Sequence, residues 1–381
     1  MTASAASSSA PLLGGATRPL TVLHVDTERG WRGGERQVLW LVEGLAQLGH
    51  RSVVAARPDE PLAEEMRRRD VPVVELAPTS EFDVAAALRL RRSILRLRAD
   101  VVHAHSGHAV ALSAVATLGT RARMVVSRRV DFPVRRNPAS RWKYARAHAI
   151  IAVSRAAADA LIGSGIDRSR VEVIHSGVDL SRSVRPATAQ TLAALGVSPG
   201  APLAVMACAL VNHKDPVTYV RAIEKARRSV PNLQAVLAGD GYLRPAVERA
   251  ASSLSLEGTL RIVGDRADAD SLLAAADVVV MSSREEGLGS VAIDAMSFGK
   301  PVAATAAGGI PEVVEHGRTG LLVPVGDADA LGDAVARLVR DPRLAASLGR
   351  NGLARAPSFS IERTVSLTAS VYERLTSSGT R

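Results

Sequence analysis

The chain has 381 residues, is 47% apolar, and carries a net charge of +10 with a single cysteine, Cys208. This length suits two domains with cores of their own, the apolar share excludes a disordered chain, and one cysteine excludes a disulfide framework or a cysteine-built zinc site. No apolar run reaches the ~18–20 residues of a membrane span, and the opening MTASAASSSAPLLGGATR lacks the basic start and apolar core of a signal peptide, so residues 1–18 read as a disordered leader of a cytoplasmic protein.

From residue 20 onward, short β-rich runs alternate with amphipathic stretches. LTVLHV (20–25), RSVVAA (51–56), VPVVEL (71–76), DVVHAH (100–105), ARMVVS (122–127), AIIAVS (149–154) and VEVIH (171–175) read as buried strands. ERQVLWLVEGLAQLG (35–49) and DVAAALRLRRSILRLR (83–98) read as helices, the first closed by Gly49. Such a βα repeat predicts a parallel sheet with helices on both faces. The pattern breaks over residues 179–202, rich in Pro, Ser, Gly and Thr. It restarts with LAVMACAL (203–210), LQAVLAG (233–239), TLRIVG (259–264), DVVVMS (277–282), PVAATA (301–306) and GLLVP (320–324). The expected fold is α/β, with two doubly wound parallel-sheet domains facing a cleft. The expected divisions are 19–183 for the first domain, 184–200 for the linker and 201–358 for the second. The helix at 360–376 is expected to cross back onto the first domain. Ligands of such sheets bind where strands end, so loops after strands are where chemistry is sought.

The charge is uneven. Residues 1–185 hold 28 Lys+Arg against 18 Asp+Glu, whereas residues 186–381 hold 20 of each. Nine basic residues and one acid, Asp131, lie between Arg121 and Arg146, together with Phe132, Trp142 and Tyr144. This stretch reads either as a solvated arginine-rich face or as a contact for an anionic membrane surface or phosphorylated substrate. No nucleic-acid-binding motif accompanies it, so nucleic acid is not an expected partner.

The most informative segment is SREEGLGSVAIDAMSFGKPV (283–302). A strand ends, a glycine-rich loop turns, and a helix begins near Ser290. The free N–H groups and positive dipole end of that helix suit a phosphate, and Gly287 and Gly289 let backbone approach a ligand. Glu286, in the turn, and Asp294, one helical turn in, are placed to accept hydrogen bonds from sugar hydroxyls. In the first domain HVDTERGWRGGERQ (24–37) is strand, loop and helix, with Gly33 and Gly34 at the helix entry. It does not match the dinucleotide pattern Gly-x-Gly-x-x-Gly. Of His103, His105 and His108, only the first two share a strand face and no carboxylate accompanies them, so a metal site is not expected. Asp268/Asp270 and Asp327/Asp329 precede helices and read as capping and first-turn acids rather than metal ligands.

Here the chain resembles the family-4 retaining glycosyltransferases of the GT-B fold. The resemblance rests on Ser283, Glu286, Gly287, Asp294, Ala295, Gly299, Pro301, Val302, Thr305, Gly308, Gly309 and Glu312, in order, and on HGRTGLLVPVGD (316–327) after them. It covers roughly residues 20–376. It implies sugar transfer from a nucleotide-sugar donor, UDP- or GDP-linked, to a glycan or lipid-linked acceptor in envelope polysaccharide synthesis. It also implies retained anomeric configuration and no metal or other cofactor, and with the basic excess on the acceptor side a place at the inner membrane face is expected. Glu286 would face the transferred sugar, Asp294 the ribose, and Lys214 the diphosphate. Gly287, Leu288, Gly289, Ser290, Gly264 and Arg266 would complete the donor site. Trp31, Arg32, Gly33 and Gly34 would border the acceptor and donor phosphate, and His105 at its strand end would face the cleft near the sugar.

Two positions depart from the family pattern. Ala209 stands where a phosphate-binding Arg is usual, and Asp294 is one methylene shorter than the usual Glu. A nucleotide-sugar epimerase or a catalytically weak transferase-like binding protein are the alternatives that the sequence leaves open.

Overall fold

The computed structural model describes residues 18–377 except 82 and 136. The leader reading therefore lies, but for Arg18, outside the described residues. The elements of the first sheet are β1 (Thr21–Val25), α1 (Gly33–Gln47), β2 (Arg51–Ala56), α2 (Pro61–Arg68), β3 (Val73–Glu75), α3 (Val84–Leu97), β4 (Val101–Ala104), α4 (Gly107–Ala116), β5 (Arg123–Arg128), α5 (Pro138–Ala145), β6 (Ala149–Ala152), α6 (Arg155–Gly163) and β7 (Val171–Val173). A short helix α7 (Ala189–Ala194) follows. The second sheet takes β8 (Leu203–Ala207), α8 (Pro216–Ser229), β9 (Gln234–Ala238), α9 (Arg244–Ser253), β10 (Leu260–Gly264), α10 (Ala269–Ala275), β11 (Val278–Met281), α11 (Ser290–Ser297), β12 (Val302–Thr305), α12 (Ile310–Val313), β13 (Gly320–Val323), α13 (Ala328–Arg340) and α14 (Pro342–Arg355), and α15 (Ile361–Ser377) closes the chain.

Both sheets are parallel, in the orders β3-β2-β1-β4-β5-β6-β7 and β10-β9-β8-β11-β12-β13. The order reverses between β1 and β4 in the first and between β8 and β11 in the second, so each sheet has a crevice at the carboxyl ends of those strands. The central strands are Val-, Ile- and Ala-rich because helices cover both faces, and their side chains are almost fully buried. On one face of the first sheet, Leu23, Val102, Met124 and Val126 pack with Ala86, Leu90, Ile94 and Leu112 of α3 and α4. On the other face, Val22, Val101 and Val125 pack with Leu41 and Leu45 of α1 and with Val365, Ala369 and Tyr372 of α15. Thus α15 lies on the first sheet, guided there by the exchange of backbone hydrogen bonds between Val178 and residues 359 and 361, 2.9 Å each.

Local differences from the sequence reading have local causes. The Pro/Ser/Thr-rich stretch 179–202 contains the helix α7 because Thr188 caps it, accepting from Thr191 N. Asp327 caps α13, but Asp268 does not cap α10: its carboxylate is bidentate on Arg266, at 2.7 and 2.8 Å. Tyr144 points into the core and is 4% exposed, whereas Trp142, two residues before it on α5, is 45% exposed. No described helix is long and apolar enough to cross a membrane.

Candidate active site

The second sheet supplies a charged lip to the cleft. β11 ends at Met281, and the chain turns through Ser282–Gly289 into α11. Gly289 has φ +94°, the left-handed region that glycine enters without penalty, and this bend starts the helix at Ser290. Gly287 is needed for a different reason: a Cβ there would lie 2.0 Å from the carbonyl oxygen of Arg129, in the loop after β5. The first domain therefore presses directly on the carboxylate turn. Leu288 is buried beneath it.

Lys214 comes from the turn after β8. That turn is zipped to the carboxylate turn by the Arg284 and Glu285 N–H groups, which both donate to the carbonyl of His213. Ser282 Oγ donates to the carbonyls of Lys214 and Asp215. The Lys214 ammonium forms an ion pair with the Glu286 carboxylate, which also accepts from Ser283 Oγ at 3.1 Å. Burial pulls the Lys214 ammonium down, but Glu286 and Asp131 outweigh it and hold the group above its ordinary value. Lys214 and Glu286, separated by 72 residues, are thus one unit. Asp215 occupies the left-handed region at φ +45°, which short polar residues tolerate, and caps α8 through Thr218. Beside this turn the thiol of Cys208 is pushed up to about 12 by burial, which removes it as a nucleophile.

Asp294 lies one turn into α11 and is 1% exposed. It accepts from Arg182 at 2.6 Å and lies 3.9 Å from Arg36 of α1. Arg182 also binds Asp270 at 2.6 Å, and both guanidiniums stack on Trp40, 5.2 and 5.4 Å from its ring. Burial raises the Asp294 carboxyl to about 6, with Arg36 and Arg182 opposing. Two acids of the second domain are therefore clamped by arginines of the first domain and its exit segment.

The first domain contributes a different lip. His24, His103 and His105 form one buried cluster on β1 and β4, with Asp26 and Arg129 at its upper edge. Arg129 donates to His105 Nδ1 at 3.1 Å, so His105 carries its proton on Nε2 and donates to His24 Nδ1 at 3.0 Å. His103 shares hydrogen bonds with Tyr372 of α15, 2.6 Å, and with Ser127, 2.8 Å. Desolvation lowers all three imidazoles, His24 to about 3, so they are neutral. The sequence reading turns His105 toward the cleft. The structure instead packs its ring inward, 6% exposed, because both ring nitrogens find partners there. His108, at the start of α4, is exposed and stands apart from the cluster. The three imidazoles offer nitrogens within 4.8 Å of one another, and those nitrogens are hydrogen-bonded: His24 and His105 to each other, His24 also to Ser52, His105 also to Arg129, and His103 to Tyr372 and Ser127.

The α1 entry joins the two lips. A Cβ on Gly33 would lie 3.9 Å from Ser290 Oγ, so the N-termini of α1 and α11 converge across the cleft. Gly34 follows in the first turn of α1. Arg32 caps α1 with its backbone N–H donating to Glu35 at 2.7 Å, and Trp31 is 41% exposed beside it. Gly264 and Arg266 lie at the end of β10, the far edge of the second sheet, and no hydrogen bond or ion pair among the described residues joins them to Glu286, Lys214 or Asp294.

Several further groups in the cleft are not among the site residues expected from the sequence. Asp131 accepts from Glu286 N at 3.1 Å across the domain boundary. Glu312 accepts from the N–H groups of Arg155 and Ala156 at the start of α6 and shares a hydrogen bond with His175. Asp26, raised to about 6 chiefly by burial, ends β1. In the sequence Asp131 stands out as the one acid in a basic run and Glu312 as part of a glycine motif, but neither signal gives the partner, and Asp26 has none.

Comparison with known proteins gives consistent likenesses. The family model described as Glycosyl transferases group 1 matches residues 190–355, and that described as Glycosyltransferase Family 4 matches residues 31–182. A D-inositol 3-phosphate glycosyltransferase of Streptomyces avermitilis is 34% identical over 220 residues, which cover 54% of this chain and 47% of the relative. The chain spans about half the length of this and similar curated relatives. The lipopolysaccharide core biosynthesis glycosyltransferase LpsE of Rhizobium meliloti is 27% identical over 326 residues, 84% of this chain and 89% of that one. Among solved structures, Anabaena HepE in complex with UDP superposes with a TM-score of 0.82 at 22% identity, covering 93% of this chain and all of that one. Sucrose-phosphate synthase from Thermosynechococcus elongatus gives 0.80 at 20%, covering 94% and all of that chain. At these identities the structures establish the fold.

Proposed function

The chain belongs to the group 1, family 4 glycosyltransferases with the GT-B fold, and from that premise we propose that it transfers a sugar from a nucleotide-sugar, UDP- or GDP-linked, to a glycan or lipid-linked acceptor of the cell envelope. The observation that carries this reading is the Lys214–Glu286 pair, set at the convergent N-termini of α1 and α11. The ammonium and the free helix N–H groups stabilise a departing diphosphate, and Glu286 orients the sugar. In this reading residues 19–183 hold the acceptor and residues 201–358 the donor, joined by 184–200. Attack occurs on the face from which the diphosphate leaves, so the configuration is retained. The leaving diphosphate takes the acceptor proton, since Cys208 is inert and Glu286 is engaged in positioning the sugar, and no metal is required. HepE, which binds UDP in its complex, supports a uridine nucleotide as the first to try. The +10 excess supports work at the anionic inner face of the membrane.

Thermal-shift screening of nucleoside diphosphates and their sugars tests the reading, because a ligand that binds only the folded state raises its melting temperature. Stabilisation by a nucleoside diphosphate, followed by transfer to acceptor with retention, is the expected result. No stabilisation by any of them overturns it. One observation favours a second reading, a weakly catalytic binding protein: Asp294 is occupied by Arg182, and Ala209 supplies no cation. Donor binding without transfer to any acceptor would decide for it.

A further inference from the structure

The charge excess and the exposed apolar surface of this chain fall on the same layer of helices. Residues 84–146 hold 14 Lys+Arg against 2 Asp+Glu, a net of +12, so the rest of the chain, with the total at +10, carries −2. This segment runs from α3 through β4, α4 and β5 to α5; Arg123 and Arg128 lie on β5 and Arg129 follows it, and the three helices pack side by side on one face of the first sheet. The same layer carries seven of the large apolar side chains that are exposed among the described residues. On α3 these are Val84 (67%), Leu88 (50%) and Leu95 (54%). Val115 and Leu118 follow at the end of α4, and Phe132 and Trp142 lie before and on α5.

The geometry of α3 makes the point. Its inward stripe is Ala86, Ala87, Leu90 and Ile94. Val84, Leu88 and Leu95, spaced four and seven apart, form a second apolar stripe about a third of a turn from the first, facing solvent. Arg89, Arg92 and Arg96 flank it, and all three are exposed. A merely solvated helix has no use for the outer leucines, because a charged or polar residue there costs nothing. Arg89, Arg92, Arg96, Arg121, Arg135 and Arg141 form no salt bridge among the described residues. By contrast, Lys143 is held by Glu81 at 2.8 Å, and Tyr144 is buried, which removes two residues of the basic run from any contact.

We propose that the α3–α4–α5 face is the surface on which this protein lies against an anionic phospholipid membrane, with Leu88, Leu95 and Trp142 entering the interface and the flanking arginines meeting the headgroups. This deepens the reading above and rests on it for the site of action: a lipid-linked acceptor would be met by the domain that holds it. Leucine and tryptophan interleaved with arginine fit a lipid interface, which takes apolar groups into its acyl boundary and cations at its headgroups. A nucleic acid would satisfy only the arginines.

The experiment is co-sedimentation of the full chain with phosphatidylcholine vesicles, with and without phosphatidylglycerol, at low and high salt. Each basic residue near an anionic surface is worth about fivefold in partitioning. Binding to the phosphatidylglycerol vesicles alone is therefore expected, weakened by salt. R89Q/R92Q/R96Q should lose about a hundredfold, and L88D/L95D should abolish the part that survives salt. Leu353→Asp, at an exposed leucine of α14 on the other domain, should bind as the parent does. The melting shift with nucleoside diphosphate should be unchanged in every variant, which separates failure of this surface from failure of the donor site. No binding to phosphatidylglycerol vesicles at low salt, or binding that all variants retain, overturns the proposal. A dimer in sedimentation that L88D/L95D dissolves, without vesicle binding, assigns the face to a second copy and overturns it as well.

Discussion

The two lips of the cleft use polar groups in opposite ways. On the second domain, polar groups are charged and paired across long sequence separations: Lys214 with Glu286 at the cleft, and the buried Asp294 with Arg182. On the first domain, three neutral, buried imidazoles lie beside the Arg129 guanidinium, which donates to His105; His105 donates in turn to His24, and His103 is tied to Tyr372 of the last helix. An ion pair in the cleft can exchange its partner for a ligand, because its groups retain water or a charged substitute. A buried neutral chain cannot, because each unsatisfied group costs ~1–3 kcal/mol. The charged lip is therefore suited to chemistry and the neutral lip to holding a shape against which the other closes.

This contrast sets an order of effects. The largest is expected at Glu286: Glu286→Ala should lower kcat by about a hundredfold or more while the melting temperature stays near the parent's. A folded variant with near-parental kcat would remove Glu286 from the reacting centre. Next, Lys214→Ala should weaken nucleoside diphosphate by about 10- to 100-fold, the worth of a charge-assisted contact, and nucleoside far less. Calorimetry that finds equal losses for both would show that Lys214 does not meet the diphosphate.

The neutral lip should answer in stability instead. His103→Ala strands Tyr372 and Ser127 and should cost ~1–3 kcal/mol of unfolding free energy, read by denaturant titration, with nucleotide affinity kept. A loss of nucleotide affinity without loss of stability would erase the distinction between the lips.

The smallest effect is a pH dependence at Asp294. Because burial holds its folded value near 6, above the ordinary 3.8, its protonated form prevails below that pH and nucleoside binding should weaken as pH falls through about 6. The stability contribution runs the other way. The folded state holds this proton more tightly than the unfolded chain, so the contribution is fully present below about 3.8 and is lost as pH rises through 6. Arg182→Ala removes a charge that lowers the value, so the binding midpoint should move upward. A midpoint unmoved by Arg182→Ala would show that Asp294 does not govern it.

Much of this was legible in the residues. The alternation of Val-rich runs with amphipathic stretches shows two parallel sheets, since strands buried on both faces have few other compositions. The turn at Glu286–Gly289 and the entry to α1 at Gly33 follow from glycines and helix-start signals that act over a few residues. Four features were not legible. Lys214 and Glu286 gave separate signals, and nothing in either stretch paired them. Asp294 read as an open ribose acceptor, but it is covered by Arg182 and Arg36. His105 read as a cleft residue, yet its ring turns to Arg129 and His24. The outer leucines of α3 were hidden because a helix apolar on two sides looks, in sequence, like a more deeply buried one.

The sequence by itself determined the periodicities, the glycine turns and the charge excess, all of which depend on neighbours within about a turn of helix or a strand's length. Only the tertiary structure decided which charges meet and which side of α3 is left bare. Those depend on the crossing of β1, β4 and β5 under α15 and on the approach of Arg129 to Gly287. Electrostatic pairing and burial act through space, and residues 72, 112 and 269 apart in the chain become neighbours only when both sheets are in place.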